Sequence, residues 1–559
     1  MNTRVEAGSW TVSDALVARL TEAGVDVVFG LPGVHNLGLY RALARSSLRH
    51  VAVRHEQAAS FMADGYARLS GRIGVAVIIG GPGLTNAATG IAQAYSDSVP
   101  VLILTSTVAL ADIGQERGSL HDVKDQALLA AQISGRSVTA RSGEEALRAL
   151  DRALADMAAG RPRPAVIGIP HDVMEASFEG ASVSAPPIVA PAAPEVLVAR
   201  SAAIIAGASS PIAVAGGGAL GAAAEFASLA EATGLPVVTT VAAKGLLPPG
   251  HPCDLGSGLS RGEIRRAIGA ADVVLAVGTE LGESDLFLTA DHEAAGLSSE
   301  APVHGRLGAR GALIRVDIDL SVLTAGEPTA VAILGDAKAV LERLRDTVPA
   351  VVSEVRTARL AAVKGLMAQR RDGLTPLERK HVLVLDALSE AMGPDGVVVS
   401  DMTQIGYTGC THYRAPRPRS WLFPMGYGTM GYALPASIGA KVSSPNRLVA
   451  ALVGDGGLLF TVHELATAVE LGLPLPILLW NNDSLGEIAD FMRARGIPEI
   501  GVRPRNPDFL ALARAFGAEA RRPDSLGALA EAIAEALTQP GPTLIEVRED
   551  ASFLDEPKT

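Results

Sequence analysis

The stretch LVAALVGDGGLLFTVHELATAVELGLPLPILLWNND, residues 448–483, contains two apolar segments that each run directly into polar residues. LVAALV is followed by Gly-Asp455-Gly-Gly, and PILLW is followed by Asn-Asn482. Short continuous apolar segments on either side of a helical stretch are typical of buried parallel strands. Because the carboxyl ends of parallel strands share one edge of a sheet, we expect Asp455 and Asn482 to lie close together.

The same alternation of apolar segments and helical segments extends along most of the 559 residues. Gly, Pro and short polar runs separate these segments, so we interpret each apolar run as a buried strand covered by helices. The pattern predicts an α/β fold with three doubly wound domains of mostly parallel sheets. We place the domains at 1–183, 195–350 and 375–550, joined by a Pro/Ala-rich linker, 184–194, and by a charged helical linker, 351–379.

Composition limits the classes of function. Hydrophobic residues make up 48% and charged residues 19% of the chain, which is typical of a globular protein rather than a disordered one. The net charge is −12 and no long Lys/Arg run occurs, which speaks against nucleic acid or an anionic membrane as the main partner. Two cysteines, Cys253 and Cys410, cannot form a disulfide framework, and the first residues lack the apolar run of a signal peptide. We therefore expect a cytoplasmic protein without a membrane span.

Asp455 and Asn482 carry the strongest chemical signal. Carboxylate and amide oxygens are ligands that suit Mg²⁺. Gly456 and Gly457 allow backbone N–H groups to approach a phosphate closely at the start of a helix. The alternative interpretation is two ordinary strand-to-helix turns. The position of both elements directly after strands favours a site for a metal ion and a diphosphate.

This segment resembles the metal and diphosphate motif of thiamine diphosphate enzymes, the family that contains acetolactate synthase, pyruvate decarboxylase and benzaldehyde lyase. The resemblance covers nearly the whole chain and implies a pyrimidine-binding, a central and a diphosphate-binding domain, in that order. It implies that Asp455 and Asn482 bind Mg²⁺ through their side chains and that Ser484 binds it through its backbone carbonyl. The other residues of this segment that the resemblance places against the thiamine diphosphate are Gly456, Gly457 and Leu485.

A second stretch, Arg54-His55-Glu56-Gln57, lies between the strand HVAVR and a helix. Taken alone, Glu56 is a glutamate at a helix start, where the helix dipole stabilises its charge. The longer stretch RHEQAASFMADGYAR resembles the part of the family that bears the glutamate in contact with the cofactor's pyrimidine N1′. The resemblance implies that Glu56 is the catalytic residue that activates the cofactor.

Two more segments fit the same resemblance. In Gly-Tyr-Gly428-Thr-Met430-Gly, it implies that the Gly428 carbonyl accepts from the cofactor's 4′-amino group and that Met430 supports the cofactor's bent conformation. The alternative for Met430 is a core methionine beside a glycine turn. In Asp-Met-Thr-Gln404, the resemblance implies that Gln404 contacts the diphosphate.

Two histidines are candidates for catalysis and substrate binding. His35 lies in a turn between a strand and a helix, at a position that matches an active-site histidine of benzaldehyde lyase. His121 follows the strand VLILT, at a position where several relatives place a polar residue facing the substrate. A neutral imidazole can transfer protons near pH 7. The alternative for each is an ordinary surface or helix-cap histidine.

Glu487 is a candidate for substrate selection. Relatives place apolar, substrate-contacting side chains at this position. A carboxylate there favours a substrate with a cationic far end, ideally a guanidinium, which can form two parallel hydrogen bonds with it. The alternative is an exposed glutamate on a helix.

The central region carries the spacing of a dinucleotide fingerprint, Gly216-Gly-Gly-Ala-Leu-Gly221, after the strand PIAVA. No persuasive acidic partner follows about twenty residues later at the end of a second strand. The stretch 278–285 also differs from the Arg-Phe-Asp-Asp-Arg type of stretch in acetolactate synthases. Both observations speak against FAD in this domain, and the second speaks against acetolactate synthase as the activity.

The chain as a whole most resembles 5-guanidino-2-oxopentanoate decarboxylases, in stretches such as GVHNLGLYRAL and GTELGESD. The resemblance implies decarboxylation of a 2-oxo acid to an aldehyde and CO₂, dependent on thiamine diphosphate and Mg²⁺. It also implies a homodimer or homotetramer with active sites at the subunit interface. One alternative is an acetolactate synthase-like carboligase, which joins the decarboxylated intermediate to a second carbonyl compound. Another is a non-catalytic scaffold, against which the intact Glu56, Asp455 and Asn482 speak.

Overall fold

Three six-stranded sheets organise the chain. A computed structural model describes residues 10–179, 188–286 and 307–555. Every strand pairing within the three sheets is parallel, and helices flank each sheet. The predicted fold class is therefore confirmed, whereas the three domain boundaries stay a prediction, and residues 184–187 of the 184–194 stretch lie outside the described residues. No helix among the described residues is long and apolar enough to cross a bilayer.

The first sheet consists of β1 (Val27–Gly30), β2 (Arg49–Ala52), β3 (Gly74–Ile78), β4 (Val101–Thr107), β5 (Arg136–Thr139) and β6 (Ala165–Pro170). Their order across the sheet is β2-β1-β3-β4-β6-β5. The helices of this part of the chain are Val12–Glu22, Leu37–Ala44, Glu56–Ser70, Pro82–Ser96, Gln126–Ile133, Gly143–Ala159 and His171–Glu175. The order leaves the ends of β1, β3, β4 and β6 side by side, where loops can bring polar residues together.

The central sheet consists of β7 (Pro211–Ala215), β8 (Val237–Thr239), β9 (Asp254–Ser257), β10 (Val273–Val277), β11 (Ala312–Asp317) and β12 (Val331–Leu334). Its order, β12-β11-β10-β7-β8-β9, is that of dinucleotide-binding folds. The described helices around it are Glu195–Ala206, Gly217–Ala222 (3₁₀), Ala223–Thr233, Val241–Ala243 (3₁₀), Gly262–Ala270, Glu283–Leu286, Leu320–Thr324 and Ala337–Thr347.

The glycines of the predicted dinucleotide fingerprint have a packing role. Gly216 and Gly218, after β7, lie against Gly278, after β10, and the Gly218 N–H donates to the Gly278 carbonyl at 3.1 Å. A Cβ on either Gly216 or Gly218 would overlap the Gly278 backbone. The loop continues as a 3₁₀ turn rather than directly as the α-helix on which a pyrophosphate would rest. Close packing of two loops thus accounts for these glycines, and the expectation about FAD stays a prediction.

The third sheet repeats the strand order of the first. Its strands are β13 (Gly396–Ser400), β14 (Trp421–Leu422), β15 (Leu448–Gly454), β16 (Leu475–Asn481), β17 (Glu519–Arg521) and β18 (Pro542–Arg548). They are arranged β14-β13-β15-β16-β18-β17. The helices are Pro376–Met392, Gly393–Asp395 (3₁₀), Gln404–His412, Ala433–Ser443, Asp455–Thr461, Val462–Glu464 (3₁₀), Leu465–Glu470, Gly486–Ala494, Phe509–Ala515, Leu526–Ala536 and Ser552–Leu554 (3₁₀).

The charged stretch 351–379 is largely helical, as predicted, and its role as a linker between domains stays a prediction. Most of it forms the helix Ser353–Asp372, which packs on the central sheet. The Arg359 guanidinium donates to the carbonyl oxygens of Thr233 at 2.7 Å and Ala208 at 2.6 Å. Arginines on this helix therefore bind backbone carbonyl groups inside the protein, which a charge count along the sequence does not reveal.

Two helices join the first and third sheets through one continuous apolar core. Glu56–Ser70 crosses Ala433–Ser443 so closely that a Cβ on Gly65 or on Gly439 would overlap the backbone of the facing helix. Small residues at such a crossing allow the two backbones to pack directly. The start of the first helix, at Glu56, is consequently fixed relative to the third sheet of the same chain.

We expect Gly65→Ala to destabilise the protein, because the added methyl group must push the two helices apart. Overpacking of this kind costs about 1–3 kcal/mol. The matched control is Gly365→Ala on Ser353–Asp372, where an added Cβ meets nothing within 4 Å. Calorimetry should show a lower Tm for Gly65→Ala and an unchanged or slightly higher Tm for the control. A wild-type Tm in Gly65→Ala would contradict the close crossing.

Candidate active site

The third sheet places a buried carboxylate at the end of β15. Asp455 is the first residue of the helix Asp455–Thr461 and is 4% exposed. Its carboxylate accepts from the Ser484 backbone N–H at 3.2 Å and from the Asn506 side-chain amide at 2.7 Å. Burial raises the pKa of Asp455, and these neutral donors only partly offset that effect. A bound cation would stabilise the charged form further.

Asn482 lies beside Asp455, as the sequence predicts. It follows β16 directly, and its side-chain oxygen accepts from the Ser484 N–H at 3.1 Å. One backbone N–H therefore lies within hydrogen-bond distance of both proposed side-chain ligands. The Asn482 amide donates to the Gln404 side-chain oxygen at 3.1 Å, and Gln404 donates to Asp490 at 3.0 Å. Strand ends from β13, β15 and β16 thus bring four predicted residues into one cluster.

Met430, Gly456 and Leu485 lie against one another. A Cβ added to Gly456 would be 2.8 Å from Leu485 Cδ2 and 3.2 Å from Met430 Cε. Gly428, two residues before Met430, has a φ of +70°, a backbone conformation that favours glycine. Met430 and Leu485, two of the predicted cofactor-contacting residues, therefore both lie against Gly456.

Asp401 holds the loop that carries Gly428 and Met430. Its buried carboxylate accepts backbone N–H bonds from Met402 at 2.8 Å, from Gly431 at 3.1 Å and from Ala433 at 3.3 Å. Burial raises the pKa of Asp401 to about 6, against the lowering effect of these bonds. A Cβ on Gly457 would lie 3.2 Å from this carboxylate, so the Gly456-Gly457 turn is packed against the same group.

The donor set fits a hard cation with few protein ligands. Among the described residues, no three His, Cys, Asp or Glu side chains come together as a metal site. Asp455 can supply one carboxylate, Asn482 an amide oxygen and Ser484 a backbone carbonyl. Mg²⁺ takes oxygen ligands and commonly completes its shell with waters and substrate phosphates. These residues fit a Mg²⁺ ion bound together with a diphosphate.

Asn506 belongs to this cluster although sequence reasoning missed it. Its amide nitrogen donates to Asp455 at 2.7 Å and to Asp483 at 3.1 Å, while its side-chain oxygen is buried with no hydrogen-bond partner. A buried amide oxygen without a hydrogen-bond partner costs folding free energy. A ligand bound here with a hydrogen-bond donor could bond to this oxygen. Asn506 lies in a loop well after β16, and no motif around it signals this contact.

Glu56 is the first residue of the helix Glu56–Ser70, as predicted. Asn86 donates to its carboxylate at 2.9 Å, and Gly83 leaves room beside it, since a Cβ there would be 3.4 Å from the other carboxylate oxygen. Both neighbours come from the turn and helix that follow β3. Asn86 therefore orients the Glu56 carboxylate within the first domain.

Glu464 fixes the backbone just before Glu56. Its fully buried carboxylate, from the third domain, accepts from the N–H groups of Arg54 at 2.8 Å and His55 at 3.1 Å. Thr467 also donates to it at 2.6 Å. This clamp was not predicted, because Glu464 looks in sequence like an ordinary polar residue of a helix.

His35 and His121 are brought together, with ring centroids 4.9 Å apart. A third histidine, His171, stacks on His35 and was not predicted. Within the described residues, the side-chain hydrogen bond of Glu56 and the ring contacts of His35 are all made with residues of the first domain, and none is made with Asp455.

Glu487 belongs to the third domain and lies near Tyr407. Burial and the Glu487 charge raise the pKa of Tyr407.

Comparison with known proteins identifies the family. The chain matches three family models, described as the N-terminal TPP binding domain, the central domain and the C-terminal TPP binding domain of thiamine pyrophosphate enzymes, over residues 10–129, 198–344 and 401–547. The chain therefore belongs to the thiamine pyrophosphate enzymes; thiamine pyrophosphate is another name for thiamine diphosphate.

Curated relatives cover nearly the whole chain. The probable 2-ketoarginine decarboxylase AruI of Pseudomonas aeruginosa is 45% identical over 542 residues, which is 96% of this chain and 94% of that protein. Acetolactate synthase of Mycobacterium bovis is 33% identical over 533 residues, covering 91% and 82% of the two chains. Acetolactate synthase isozyme 1 large subunit of Escherichia coli is 32% identical over 556 residues, covering 97% and 94%.

We expect thiamine diphosphate with Mg²⁺ to raise the Tm of the wild-type protein, because a ligand that binds only the native state stabilises it. At a hundredfold excess over the dissociation constant the gain is about 2.7 kcal/mol. Asp455→Asn should lose this rise, since it removes the proposed charged ligand. The matched control is Asp524→Asn, an exposed aspartate of the same domain. A full ligand-induced shift in Asp455→Asn would contradict the assigned role.

Proposed function

We propose that the protein is a cytoplasmic enzyme that decarboxylates a 2-oxo acid to an aldehyde and CO₂, using thiamine diphosphate and Mg²⁺. We further propose 5-guanidino-2-oxopentanoate, which is 2-ketoarginine, as its preferred substrate. The similarity to a relative named as a probable 2-ketoarginine decarboxylase supports this choice. The structural observation that carries it is a carboxylate, Glu487, beside the cluster around Asp455 and Asn482.

Glu487 has the charge and the location for a guanidinium. It lies in the first turn of the helix Gly486–Ala494, directly after Leu485, and its charge acts on Tyr407 of the helix Gln404–His412. We therefore assign the guanidinium to Glu487, since the five N–H donors of that group match a carboxylate in a bidentate pair.

The residues of the first domain have the chemistry for proton handling. When bound, thiamine diphosphate supplies the electron sink that allows the carboxylate carbon to leave as CO₂. The overall reaction consumes one proton, which ends on the aldehyde carbon. Burial and the neighbouring histidines lower the pKa of His35, and the Nδ1 atoms of His35 and His121 are buried without a partner. We assign Glu56 to the cofactor's pyrimidine and these two histidines to the proton transfer and to substrate contact.

We propose that the active enzyme is a homodimer or homotetramer in which Glu56 of one chain and Asp455 of another bind the same cofactor. The arrangement within one chain supports this. The third domain contacts the backbone before Glu56 through Glu464, whereas the Glu56 carboxylate bonds to Asn86 of its own domain. We therefore assign the Asp455 that meets the same cofactor as Glu56 to a second copy of the chain.

The direct experiment is a panel of cationic, aromatic and short aliphatic 2-oxo acids, assayed for CO₂ release with thiamine diphosphate and Mg²⁺. We expect the highest kcat/KM with 5-guanidino-2-oxopentanoate and 4-guanidinobutanal as its product. With pyruvate, acetolactate as the product would favour the carboligase alternative. No CO₂ from any acid of the panel would contradict the proposed function.

Glu487→Gln tests the substrate assignment within the same panel. Loss of a charge-assisted pair should raise the KM for 5-guanidino-2-oxopentanoate about tenfold or more. The KM for 2-oxooctanoate, whose tail has a similar length but no charge, should stay unchanged. Glu531→Gln, an exposed glutamate of the same domain, is the control. Equal effects on both substrates would contradict a role in reading the guanidinium.

A further inference from the structure

Three histidines of the first domain lie ring to ring at the carboxyl edge of the first sheet. His35 follows β1, His121 follows β4, and His171 follows β6 directly. The His171 ring is stacked on the His35 ring, with centroids 4.7 Å apart and planes 23° apart. His121 meets His35 edge-on, with centroids 4.9 Å apart and planes 75° apart. His35 is thus enclosed by two other imidazoles.

Geometry and electrostatics favour a single, neutral form of His35. Burial lowers its pKa, and the charges of His171 and His121 lower it further. Two imidazolium rings in contact would repel each other, so the group resists a second proton. The Nδ1 atoms of His35 and His121 are buried without a hydrogen-bond partner, which leaves both rings able to serve a substrate group.

No charged group other than the two histidines is among the causes that shift the pKa of His35. Asp172, next to His171, accepts from the backbone N–H groups of Leu110 at 3.0 Å and Val173 at 3.1 Å. Asp125 caps the helix that follows it, and Lys124 is exposed. Among the described residues, burial and the two imidazoles are the causes that shift His35.

A metal site does not explain the cluster. The described residues contain no group of three His, Cys, Asp or Glu side chains placed to hold a metal ion. Stacked rings also direct their nitrogen lone pairs past each other, whereas zinc ligands converge tetrahedrally on one point. We therefore explain the arrangement by the packing of the three rings and by their mutual electrostatic effects.

We infer that His171 is a positioning residue for His35: its stacked ring fixes the orientation of the His35 imidazole and keeps it neutral. His35 can then take up a proton from solvent and pass it to the carbon that has lost CO₂, which is the proton that the reaction consumes. His171 acts through His35 and needs no contact with the substrate. The inference rests on the proposed function, because only a proton-transfer role for His35 gives this neutrality a use.

Two variants separate the two effects of His171. His171→Phe keeps a stacking ring without a charge, and His171→Ala removes the ring. In both, one of the charges that lower the pKa of His35 is gone, so the acid limb of the kcat/KM profile of the holoenzyme should move to higher pH. At pH 8 we expect His171→Phe to keep the wild-type kcat. His171→Ala should lose about tenfold in kcat, with little change in KM, because the His35 ring is no longer held.

The control is His251→Gln, at a histidine of the central domain that pairs with Glu231, and its profile should match the wild type. Histidine ¹³Cε1 NMR, with the His35 signal assigned from His35→Asn, follows the same titration without turnover. Acid limbs and His35 titration midpoints identical to wild type in both His171 variants would overturn the inference. Absence of CO₂ release by the wild type would instead defeat the proposed function, and the His35 titration would still test the stacking.

Discussion

The carboxylate of Asp455 sits at the end of an apolar strand with 4% exposure, and the rest of the site depends on how its charge is balanced. Burial of a charge is costly unless opposite charge or several donors compensate it. The groups that stabilise it in this chain are neutral: backbone N–H groups and the amide of Asn506. The cluster around it supplies oxygen atoms rather than cationic side chains. A divalent cation bound with a diphosphate, as proposed, would correct this imbalance.

The second constraint is the crossing of Glu56–Ser70 with Ala433–Ser443. Contact between the two backbones at Gly65 and Gly439 leaves little freedom for the first helix to slide. Glu464 adds a second fixed point, because its carboxylate bonds the N–H groups just before Glu56. Helix packing and the Asn86 hydrogen bond together give the Glu56 carboxylate a defined direction. Its proposed catalytic role requires such preorganisation.

The sequence predicted those parts of the site that lie within motifs. Asp455, Asn482 and Gln404 follow buried apolar strands. Because parallel strands bring their carboxyl ends to one edge of a sheet, the strand pattern is enough to infer that Asp455 and Asn482 meet, whereas Gln404 was added by the family resemblance. The functional assignments themselves stay predictions, since they came from family resemblance.

Contacts made by isolated residues could not be predicted in this way. Asn506 and Glu464 reach the site from a loop and a short 3₁₀ turn whose placement depends on tertiary packing. His171 meets His35 only because β6 and β1 belong to one sheet, and the sequence does not show how far apart their ends lie. The packing of the charged stretch 351–379 could not be predicted for a related reason, since burial of an arginine against carbonyl groups leaves no trace in composition.

The central claim is that one cofactor is bound by Glu56 of one chain and Asp455 of another. The most direct test is to mix the Glu56→Gln and Asp455→Asn proteins and let their subunits exchange. Each variant alone should be inactive. In a mixed dimer one site recovers both intact residues and the other loses both, so random exchange should restore about a quarter of wild-type CO₂ release. No recovery of activity, with mixed dimers verified by differential tags, would contradict a site shared between chains.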